Sequence, residues 1–454
     1  MLNASFNGIE KVARLGVLAK SKFSLLIILA LCITLLLSWS TKLEATPFRQ
    51  GDWQPVPSHR EDRGIIKVVW LQGSPYEMGY QQGKLLHEEI ASLPRELIDV
   101  LGFFGRSLGL ARLAMSRSYP DAIKECKGLV AATNDLGLTI DGCMMLAFGD
   151  VYHEFFGNTL PNILFNDGCS HFVATGKATV DGRLYYGHSL DNNSSPIEYL
   201  VKNPTVFVRQ PKDGIPHVSI NAPGFIWPYE GMNAAGITIS IDNARPTTDE
   251  ISASGGSNVQ MMAKILKHAS SYKEARDLME SQPRMRANII PIADGKSRIA
   301  GVFEMTGKNI AVRELDEKGV LYATNHFVSS EMADKDIDPP PSSSPPRYDR
   351  FKQLLEPGGP HSRYGNIAPG VMVDILRDRI NPYTLKASPL DVYDDDASIG
   401  GNGPLWQVVF DPERLLFWIA AGEVPVPSNP FVCFSLSEML GLPNAARCES
   451  LAIE

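Results

Sequence analysis

The sequence predicts an α+β fold in which strands and helices come in blocks and pack as layers. The chain has 454 residues, of which 44% are hydrophobic, so it can form a large packed core. The region before Asn166 has mainly helical periodicity, and strand-like segments dominate from Cys169 onward. Helical segments then separate groups of strands, which favours an α+β protein over a regular alternation of strand and helix.

The N-terminus carries a basic segment at residues 1–22 and an uncharged apolar run at residues 23–40. A run of this length is just able to span a bilayer, and the basic residues before it predict that the rest of the chain is exported. We expect a transmembrane anchor or a signal peptide at 23–40 and a linker at 41–63. The folded part would then lie in the periplasm or outside the cell, membrane-anchored, or secreted if the segment is removed.

Residues 64–168 form the next predicted segment, which begins with a strand and continues as helices. The stretch GIIKVVWLQG is typical of a strand. The stretch from Ser74 to Gly105 has helical periodicity, with interruptions predicted at Gly83 and Pro94. This segment is therefore predicted to be mainly helical.

Residues 169–454 form the last predicted segment, in which strands come first. The first group of strands is predicted in CSHFVAT, RLYYGHSL, NPTVFVRQ, HVSIN and GITISIDN. Helices are predicted from Asn258 to Ala269 and in ARDLMES, and a later one in YDRFKQLLE. Further strands are predicted in RIAGVFEMTG, NIAVREL, GVLYATNHF, LWQVVFDP and RLLFWIAAG. The proline-rich stretch at 338–346 is predicted to be a solvated loop.

Charge and motifs exclude several classes of function. The net charge is −8, and no basic run follows the N-terminal segment, so nucleic-acid binding is not expected. The sequence lacks a phosphate-binding loop and the His-Glu-x-x-His pattern, so no cofactor and no metal are predicted. The absence of Cys-x-x-Cys argues against disulfide exchange.

The cysteines are odd in number outside the apolar run. Beyond Cys32, which lies in that run, the chain has Cys126, Cys143, Cys169, Cys433 and Cys448. In an oxidising compartment Cys433 could pair with Cys448, and Cys126 with Cys143, although spacing alone does not fix the connectivity. The cysteine left over is a candidate reactive thiol.

Cys169 follows a glycine at the start of a predicted strand. Gly168 tolerates unusual backbone conformations and leaves the path of an attacking thiol open. If the bond between the two residues were cut, the new α-amino group, with a pKa near ~7.7–8.0, could act as the base for the thiol of the same residue. The alternative for an isolated Gly-Cys pair is an inert buried thiol.

A hairpin is predicted behind Cys169, because Asp181 and Gly182 form a strong two-residue turn signal. That turn would place Phe172 opposite Asp191, with Cys169 three residues further along the strand. A bulge or bend would then be needed to bring Cys169 and Asp191 together.

Two asparagines fall where strand alternation expects an inward apolar residue. Asn243 shares the parity of the isoleucines in GITISIDN, and Asn325 shares that of the apolar residues in GVLYATNHF. Two convergent buried amides could donate hydrogen bonds to an oxyanion. The alternative is turn chemistry at strand ends, where asparagine is common.

A set of short motifs resembles a known family. The segments NDGCS, GRLYYGHSLDN, EGMNAAGITISIDN, YATNHF and SPPRYDR, in this order, are similar to the cysteine N-terminal nucleophile (Ntn) hydrolases. The branch they resemble most is the peptidase C45 group, which includes acyl-coenzyme A:6-aminopenicillanic acid acyltransferase and has the choloylglycine hydrolases and penicillin V acylases as relatives. The upstream GSPYEMGYQQGKLL resembles the pro-segment of that group. The resemblance covers about Gly73 to Pro412 and implies a four-layer αββα sandwich.

The resemblance also implies five site residues: Cys169, Asp191, Asn243, Asn325 and Arg347. Cys169 would be the nucleophile, exposed by self-cleavage after Gly168, and Asp191 would orient its new amino group. The two asparagines would contact the oxyanion and the amino group, and the arginine would lie near the nucleophile. At His188 the choloylglycine hydrolases carry arginine, which argues against bile-acid amidase activity.

The activity that the resemblance implies is hydrolysis of a linear N-acyl amide through a thioester, with transfer to an amine as a variant. The substrate would be a small-molecule amide, and lipid-like N-acyl amides are the first class to test. Self-cleavage would leave an α/β heterodimer of residues 64–168 and 169–454. The alternative is a non-catalytic, membrane-tethered binding protein of the same fold.

Overall fold

The structure is a computed structural model. It describes residues 54–94, 103, 106–107, 109–148, 167–192, 198–250, 255–387, 397–401 and 403–454. The apolar run at residues 23–40 lies outside these residues, as do the basic segment and most of the predicted linker. Within the described ranges, the helices are all too short or too polar to cross a membrane.

Within the described residues, the N-terminal part contains two strands and five α-helices. They are β1 (His59–Arg60), β2 (Lys67–Gly73), α1 (Pro75–Leu85), α2 (His87–Ala91), α3 (Leu110–Arg117), α4 (Pro120–Ala132) and α5 (Ile140–Phe148). The start of α1 is fixed by a capping box, in which Ser74 and Glu77 bond each other's backbone N–H groups. The predicted strand and the helical character of this part are thus present in the structure.

The predicted helix break at Gly83 is wrong. Helix α1 continues through this residue because its glycines let α4 pack closely. A Cβ atom at Gly79 would lie 2.0 Å from the carbonyl oxygen of Glu125, and one at Gly83 would lie 2.6 Å from the Cβ atom of Ala132. These glycines therefore serve helix packing.

The rest of the chain contains fifteen named strands and six helices within the described residues. The strands are β3 (Asp167–Gly176), β4 (Gly182–Asn192), β5 (Thr205–Pro211), β6 (His217–Asn221), β7 (Glu230–Asn233), β8 (Ile237–Ser240), β9 (Asp242–Asn243), β10 (Asn288–Asp294), β11 (Ile299–Met305), β12 (Ile310–Glu314), β13 (Val320–Ala323), β14 (Pro404–Asp411), β15 (Leu416–Ala421), β16 (Phe431–Ser435) and β17 (Ala452–Ile453). The helices are α6 (Glu198–Lys202), α7 (Asn258–His268), α8 (Tyr272–Glu280), α9 (Ser344–Leu355), α10 (Pro369–Leu376) and α11 (Leu436–Met439).

The strands form two sheets. The first sheet has the order β1-β2-β5-β6-β7-β8-β10-β11-β12, with β9 also paired to β10. Its β2–β5 pair is parallel, whereas the other pairs are antiparallel. The second sheet is antiparallel and has the order β13-β3-β4-β14-β15-β16-β17. The mixed composition confirms the predicted α+β class.

The two sheets face each other, and each carries a pair of helices on its outer face. One apolar cluster joins β3, β4 and β14 to strands of the first sheet. A second cluster joins the opposite face of the second sheet to α9 and α10. A third joins the outer face of β8, β10 and β11 to α7 and α8. Cys169 belongs to the first of these clusters and so lies between the sheets.

The β3–β4 hairpin has a longer turn than predicted, so its predicted register is wrong. The ladder ends at the pair Gly176 and Gly182, and both glycines have positive φ, at 59° and 73°. Residues 177–181 form the connection. The strands are therefore shifted by four residues from the two-residue-turn register, and Gly168 lies directly opposite Asp191.

The predicted loop at 338–346 ends earlier than expected, because α9 already begins at Ser344. Pro345 and Pro346 occupy its first turn, where proline's fixed φ fits and its missing N–H is not needed. This start places Arg347, which is fully buried, on the face of α9 toward β3.

Candidate active site

Cys169 sits in the middle of a polar network on β3. Its side chain is 2% exposed. Its backbone N–H donates to Oδ1 of Asn325 at 2.8 Å. The guanidinium of Arg347 donates to the carbonyl oxygen of Cys169, and to Oγ of Ser170 at 2.9 Å. Two of the predicted site residues thus bond the backbone of the predicted nucleophile.

Asn325 acts as an acceptor at this point. Its Oδ1 accepts from the N–H of Cys169 and from Nη2 of Arg347, the latter at 2.8 Å. Because both partners are donors, the orientation of the amide is fixed. Its Nδ2 then donates to the backbone oxygen of Asn243 at 3.0 Å. The arrangement fits the amino-group contact better than the oxyanion contact.

Asn243 lies next to this network, and its side chain turns toward another asparagine. It pairs with Asn288 across the β9–β10 ladder, and Nδ2 of Asn288 lies 3.4 Å from its Oδ1. The isoleucines that share its parity pack against α7 and α8, on the outer face of the first sheet. The opposite face of this segment, with Ser240 and Asp242, is the one that meets β3 and β4.

Asp191 completes the predicted set from the neighbouring strand. It lies opposite Gly168 in the β3–β4 ladder and is buried. Its Oδ1 accepts from Oγ of Ser189 at 2.5 Å. The structure therefore places Cys169, Asp191, Asn325 and Arg347 at the Gly168–Cys169 bond, and Asn243 is linked to them through Asn325.

A second group of buried polar residues lies on the other side of Cys169, between the sheets. We call it the inter-sheet cluster; its members are Cys169, His171, His188, Glu230 and Asp242. The thiol of Cys169, a ring nitrogen of His188 and a carboxylate oxygen of Asp242 all lie within 4.8 Å of one another. Asp242 is also 2.5 Å from Nε2 of His171, and the two imidazole rings stack with centroids 4.5 Å apart.

The two histidine rings are held through their Nδ1 atoms. Nδ1 of His188 lies 2.8 Å from Oε2 of Glu230, whose Oε1 accepts from the indole N–H of Trp406 at 2.7 Å. Nδ1 of His171 lies 2.7 Å from Oγ of Ser240. Both rings are thus fixed in place, with their Nε2 atoms turned toward Asp242.

Burial dominates the electrostatics of the inter-sheet cluster. It raises the pKa of Asp242 to about 8, against the smaller opposing effects of His188, Arg347 and the Cys169 thiol. Burial also raises the pKa of Glu230, although the bond from His188 opposes this. The pKa of His171 is held well below its usual value by burial and by the charges of His188 and Arg347. These directions show that burial favours the uncharged forms of Asp242, Glu230 and His171.

His171, Glu230 and Asp242 were not predicted as site residues, and His188 was singled out only as a departure from relatives. A signal for Asp242 was present, because Thr238, Ser240 and Asp242 alternate with the isoleucines of GITISIDN. Polar residues on one face of a buried strand indicate a polar surface on that side. A signal for His171 was also present, because it lies two residues after Cys169 and so shares that face of the predicted strand. Glu230 follows no such pattern, and only the packing of the two sheets reveals it.

The cysteines pair as predicted. Disulfides join Cys126 to Cys143 and Cys433 to Cys448. Of the cysteines that the structure describes, Cys169 is the one outside both bridges.

A cavity of about 330 Å³ lies elsewhere, on the side of the first sheet that carries α1, α4 and α7. Met78, Arg209 and Trp227 are among its lining residues, and Cys169 is not. This cavity is separate from the candidate active site.

Comparison with known proteins confirms the resemblance seen in the motifs. Residues 178–393 match the acyl-coenzyme A:6-aminopenicillanic acid acyl-transferase family. The match includes four of the five predicted site residues and begins after Cys169. The chain is also 26% identical, over 291 residues, to an uncharacterized protein of Archaeoglobus fulgidus; the alignment covers 59% of this chain and 48%, about half, of that relative.

Three solved structures are similar over more than half of this chain. An N-acylethanolamine-hydrolyzing acid amidase ortholog of Caenorhabditis elegans has 15% identity and a TM-score of 0.37, covering 54% of this chain and 93% of its own. Penicillin V acylase of Agrobacterium tumefaciens has 13% identity and a TM-score of 0.33, covering 56% and 83%. A mutant conjugated bile acid hydrolase of Clostridium perfringens has 12% identity and a TM-score of 0.31, covering 58% and 96%.

Proposed function

Because residues 178–393 match the acyl-coenzyme A:6-aminopenicillanic acid acyl-transferase family, we propose that this chain is a cysteine Ntn hydrolase that cleaves itself before Cys169 and then acts on a linear N-acyl amide. The family match supports action on amides or acyl groups in general. Self-cleavage, the thioester and the choice of amide are the proposed parts.

One observation carries the proposal: side chains distant in sequence converge on the backbone of Cys169. Asn325 accepts the N–H of Cys169, and Arg347 bonds its carbonyl oxygen. Asp191 lies opposite Gly168. An inert buried cysteine needs none of these contacts. They hold the peptide unit and would also hold the amino group that cleavage creates.

Maturation would proceed by an acyl shift from nitrogen to sulfur. The thiol of Cys169 attacks the carbonyl carbon of Gly168, and the C–N bond breaks as the nitrogen of Cys169 takes up a proton. Water then hydrolyses the thioester, which returns the thiol and leaves a carboxylate on Gly168. The freed α-amino group stays within reach of Oδ1 of Asn325, which already accepts the N–H in the intact chain.

The mature site would use Cys169 as both nucleophile and base. Its α-amino group takes the thiol proton, and the thiolate attacks the acyl carbonyl of the substrate. The leaving amine receives that proton, and a thioester remains on the sulfur. Water, or an acceptor amine, releases the acyl group. We propose hydrolysis as the principal outcome because water is the more abundant acceptor.

Location and assembly complete the proposal. The apolar run at residues 23–40 would place the enzyme outside the cytoplasm, anchored or secreted, where lipid-like N-acyl amides are the first substrates to test. The two cleavage fragments would remain together as a heterodimer, because strands of both fragments contribute to the first sheet.

The test is an assay of the purified protein against a panel of N-acyl amides that differ in chain length, combined with mass spectrometry during turnover. We expect amide hydrolysis together with an acyl adduct on the fragment that begins at Cys169. Cys169→Ala should give neither product nor adduct. The Cys433→Ser and Cys448→Ser double variant is the matched control, since it changes two other cysteines far along the chain and should acylate normally. Hydrolysis without an adduct at Cys169, or by Cys169→Ala, would contradict the proposal.

A further inference from the structure

The inter-sheet cluster contains donor atoms that lack ordinary partners. His188 is completely buried, and its Nε2 forms no hydrogen bond within the described part of the chain. The nearest acidic atom is Oδ1 of Asp242 at 3.8 Å. A buried ring nitrogen in this state calls for an explanation, and a bound ligand is one.

The three donors converge at a spacing suited to a metal ion. The sulfur of Cys169, a nitrogen of His188 and an oxygen of Asp242 lie within 4.8 Å of one another. The bond lengths of zinc, about 2.0–2.3 Å, place donors of a tetrahedral site roughly 3.3–3.6 Å apart. Shifts of about one ångström or less in these side chains would meet that geometry.

The surroundings of the three donors resemble the outer shell of a metal centre. The Nδ1 atom of His188 is 2.8 Å from a carboxylate oxygen of Glu230, which is itself held by Trp406. A metal-binding histidine commonly donates its second ring N–H to such a carboxylate. On the other side, Asp242 is held by Nε2 of His171. Two of the three donors, those of His188 and Asp242, are thus each held in orientation by a second residue.

We propose that Cys169, His188 and Asp242 form a binding site for a borderline-soft divalent cation, with Zn²⁺ as the expected ion. The mixed S, N and O donor set favours zinc over magnesium or calcium, which prefer oxygen ligands. Three protein ligands leave the fourth tetrahedral position open for water. Binding displaces the proton of the Cys169 thiol to solvent.

The ion acts as a reversible inhibitor, and this consequence rests on the proposed function. A thiolate bound to zinc cannot attack the carbonyl carbon of Gly168 or of a substrate. Zinc therefore slows both self-cleavage and amide hydrolysis, and removal of the metal restores them.

The experiment is a titration of the chelator-treated, purified full chain with Co²⁺, read by absorbance, followed by displacement with Zn²⁺. We expect about one equivalent of Co²⁺ with a thiolate-to-cobalt charge-transfer band, and loss of the band in Cys169→Ala. His188→Gln should weaken binding by more than about 100-fold, and Glu230→Gln by about 10- to 100-fold. His217→Gln is the matched control, because His217 is another buried histidine, held by the carbonyl oxygen of Ile215.

Several outcomes would overturn the site: no bound metal, metal without the charge-transfer band, or equal affinity in His188→Gln and His217→Gln. Melting curves establish that each variant folds, and Asp242→Asn provides a second ligand variant if His188→Gln does not. Metal binding is measured by absorbance, so this measurement does not depend on enzyme activity. A chain that binds cobalt through Cys169 but neither cleaves nor hydrolyses amides in metal-free buffer would disprove the proposed function and keep the metal site.

Discussion

Two groups of buried polar residues differ in how completely their polar atoms are paired. Glu304 on β11 is fully buried and accepts from Nε of Arg313 at 2.7 Å. It also accepts from the backbone N–H groups of Val328 and Ser329, and from the hydroxyl of Ser329 at 2.7 Å. We call these four residues the Glu304 cluster. Each oxygen of its carboxylate has more than one donor.

The inter-sheet cluster is equally buried but is not saturated in this way. The Nε2 atom of His188 forms no hydrogen bond within the described residues, and the carboxylate of Asp242 lies against both rings and the thiol. A buried charge with a full set of partners holds loops and strands together. Ionisable groups whose charged forms are destabilised by burial are typical of a functional site. The contrast distinguishes buried charge that stabilises the fold from buried polar groups suited to chemistry.

The largest expected effect tests whether Cys169, in the inter-sheet cluster, has a chemical role. Cys169→Ala removes the nucleophile, so amide hydrolysis should fall by about 10⁴-fold or more. Steady-state kinetics measure the loss, and circular dichroism of the same preparation shows that the variant is folded. A variant that keeps a tenth of the activity would show that the thiol is not the nucleophile.

The next effect concerns the acceptor role of Asn325. Asn325→Ala should slow cleavage and hydrolysis by about 10²- to 10³-fold, the scale for losing one preorganised hydrogen bond at a reacting centre. Asn325→Asp keeps an oxygen facing the N–H of Cys169 and the guanidinium of Arg347, so it should lose less than about tenfold. Equal losses in the two variants would indicate that the amide N–H group acts on an oxyanion instead.

A variant of the Glu304 cluster tests whether this cluster stabilises the fold. Glu304→Gln leaves Arg313 without its charged partner and presents an NH₂ group to donors, so it should lower the free energy of unfolding by about 3 kcal/mol. His188→Gln should cost only about 1 kcal/mol, because Glu230 keeps its bond from Trp406. Urea unfolding of both variants measures the difference. If His188→Gln lowered the free energy of unfolding more than Glu304→Gln, the structural role would belong to the inter-sheet cluster and not to the Glu304 cluster.

The smallest expected effect is on the pH dependence of the free energy of unfolding. It comes from His217, a buried histidine outside both clusters. Burial lowers the pKa of His217 to about 3. Between about pH 3 and 6.5 the unfolded chain binds a proton there that the folded chain does not, so stability from this residue is present above pH 6.5 and is lost as pH falls. The slope is up to about 1.4 kcal/mol per pH unit, and His217→Gln should remove it. An unchanged difference between wild type and variant at about pH 4.5 and 7 would contradict the burial account.

Sequence reasoning selected residues that lie close together in the structure. It identified Gly168 and Cys169 from local chemistry, and the family resemblance added Asp191, Asn325 and Arg347, which the structure places around them. Both disulfides were among the pairings that the sequence allowed, and the odd number of cysteines left one over. The selection of Gly168 and of the cysteines has one cause, because the chemistry of these residue types is informative without knowledge of their neighbours.

The errors share another cause, which is that they depended on geometry between segments. The register of β3 and β4 was wrong because the strong turn signal at Asp181 and Gly182 lies at the end of a longer connection. Asp242 was overlooked because the isoleucine face of its strand was taken as the face toward the site. That face meets helices, so parity alone could not say which side carried the chemistry.

The strand β10 was not predicted at all. It pairs with β8 on one side and β11 on the other, and it contains Pro291 opposite Val302. Proline within a central strand argues against a strand in sequence analysis, because it removes a ladder hydrogen bond. Here the carbonyl oxygen of Pro291 accepts a bond from the hydroxyl of Tyr186 at 3.3 Å, which links the two sheets beside the inter-sheet cluster.

The most direct test of the central claim is the N-terminal sequence and intact mass of the purified, metal-free protein. The account predicts a fragment of 286 residues (454 − 168) that begins at Cys169, together with a fragment that ends at Gly168. Cys169→Ala should remain one chain. An uncut wild-type chain that hydrolyses amides, or a cut at any other bond, would contradict the account.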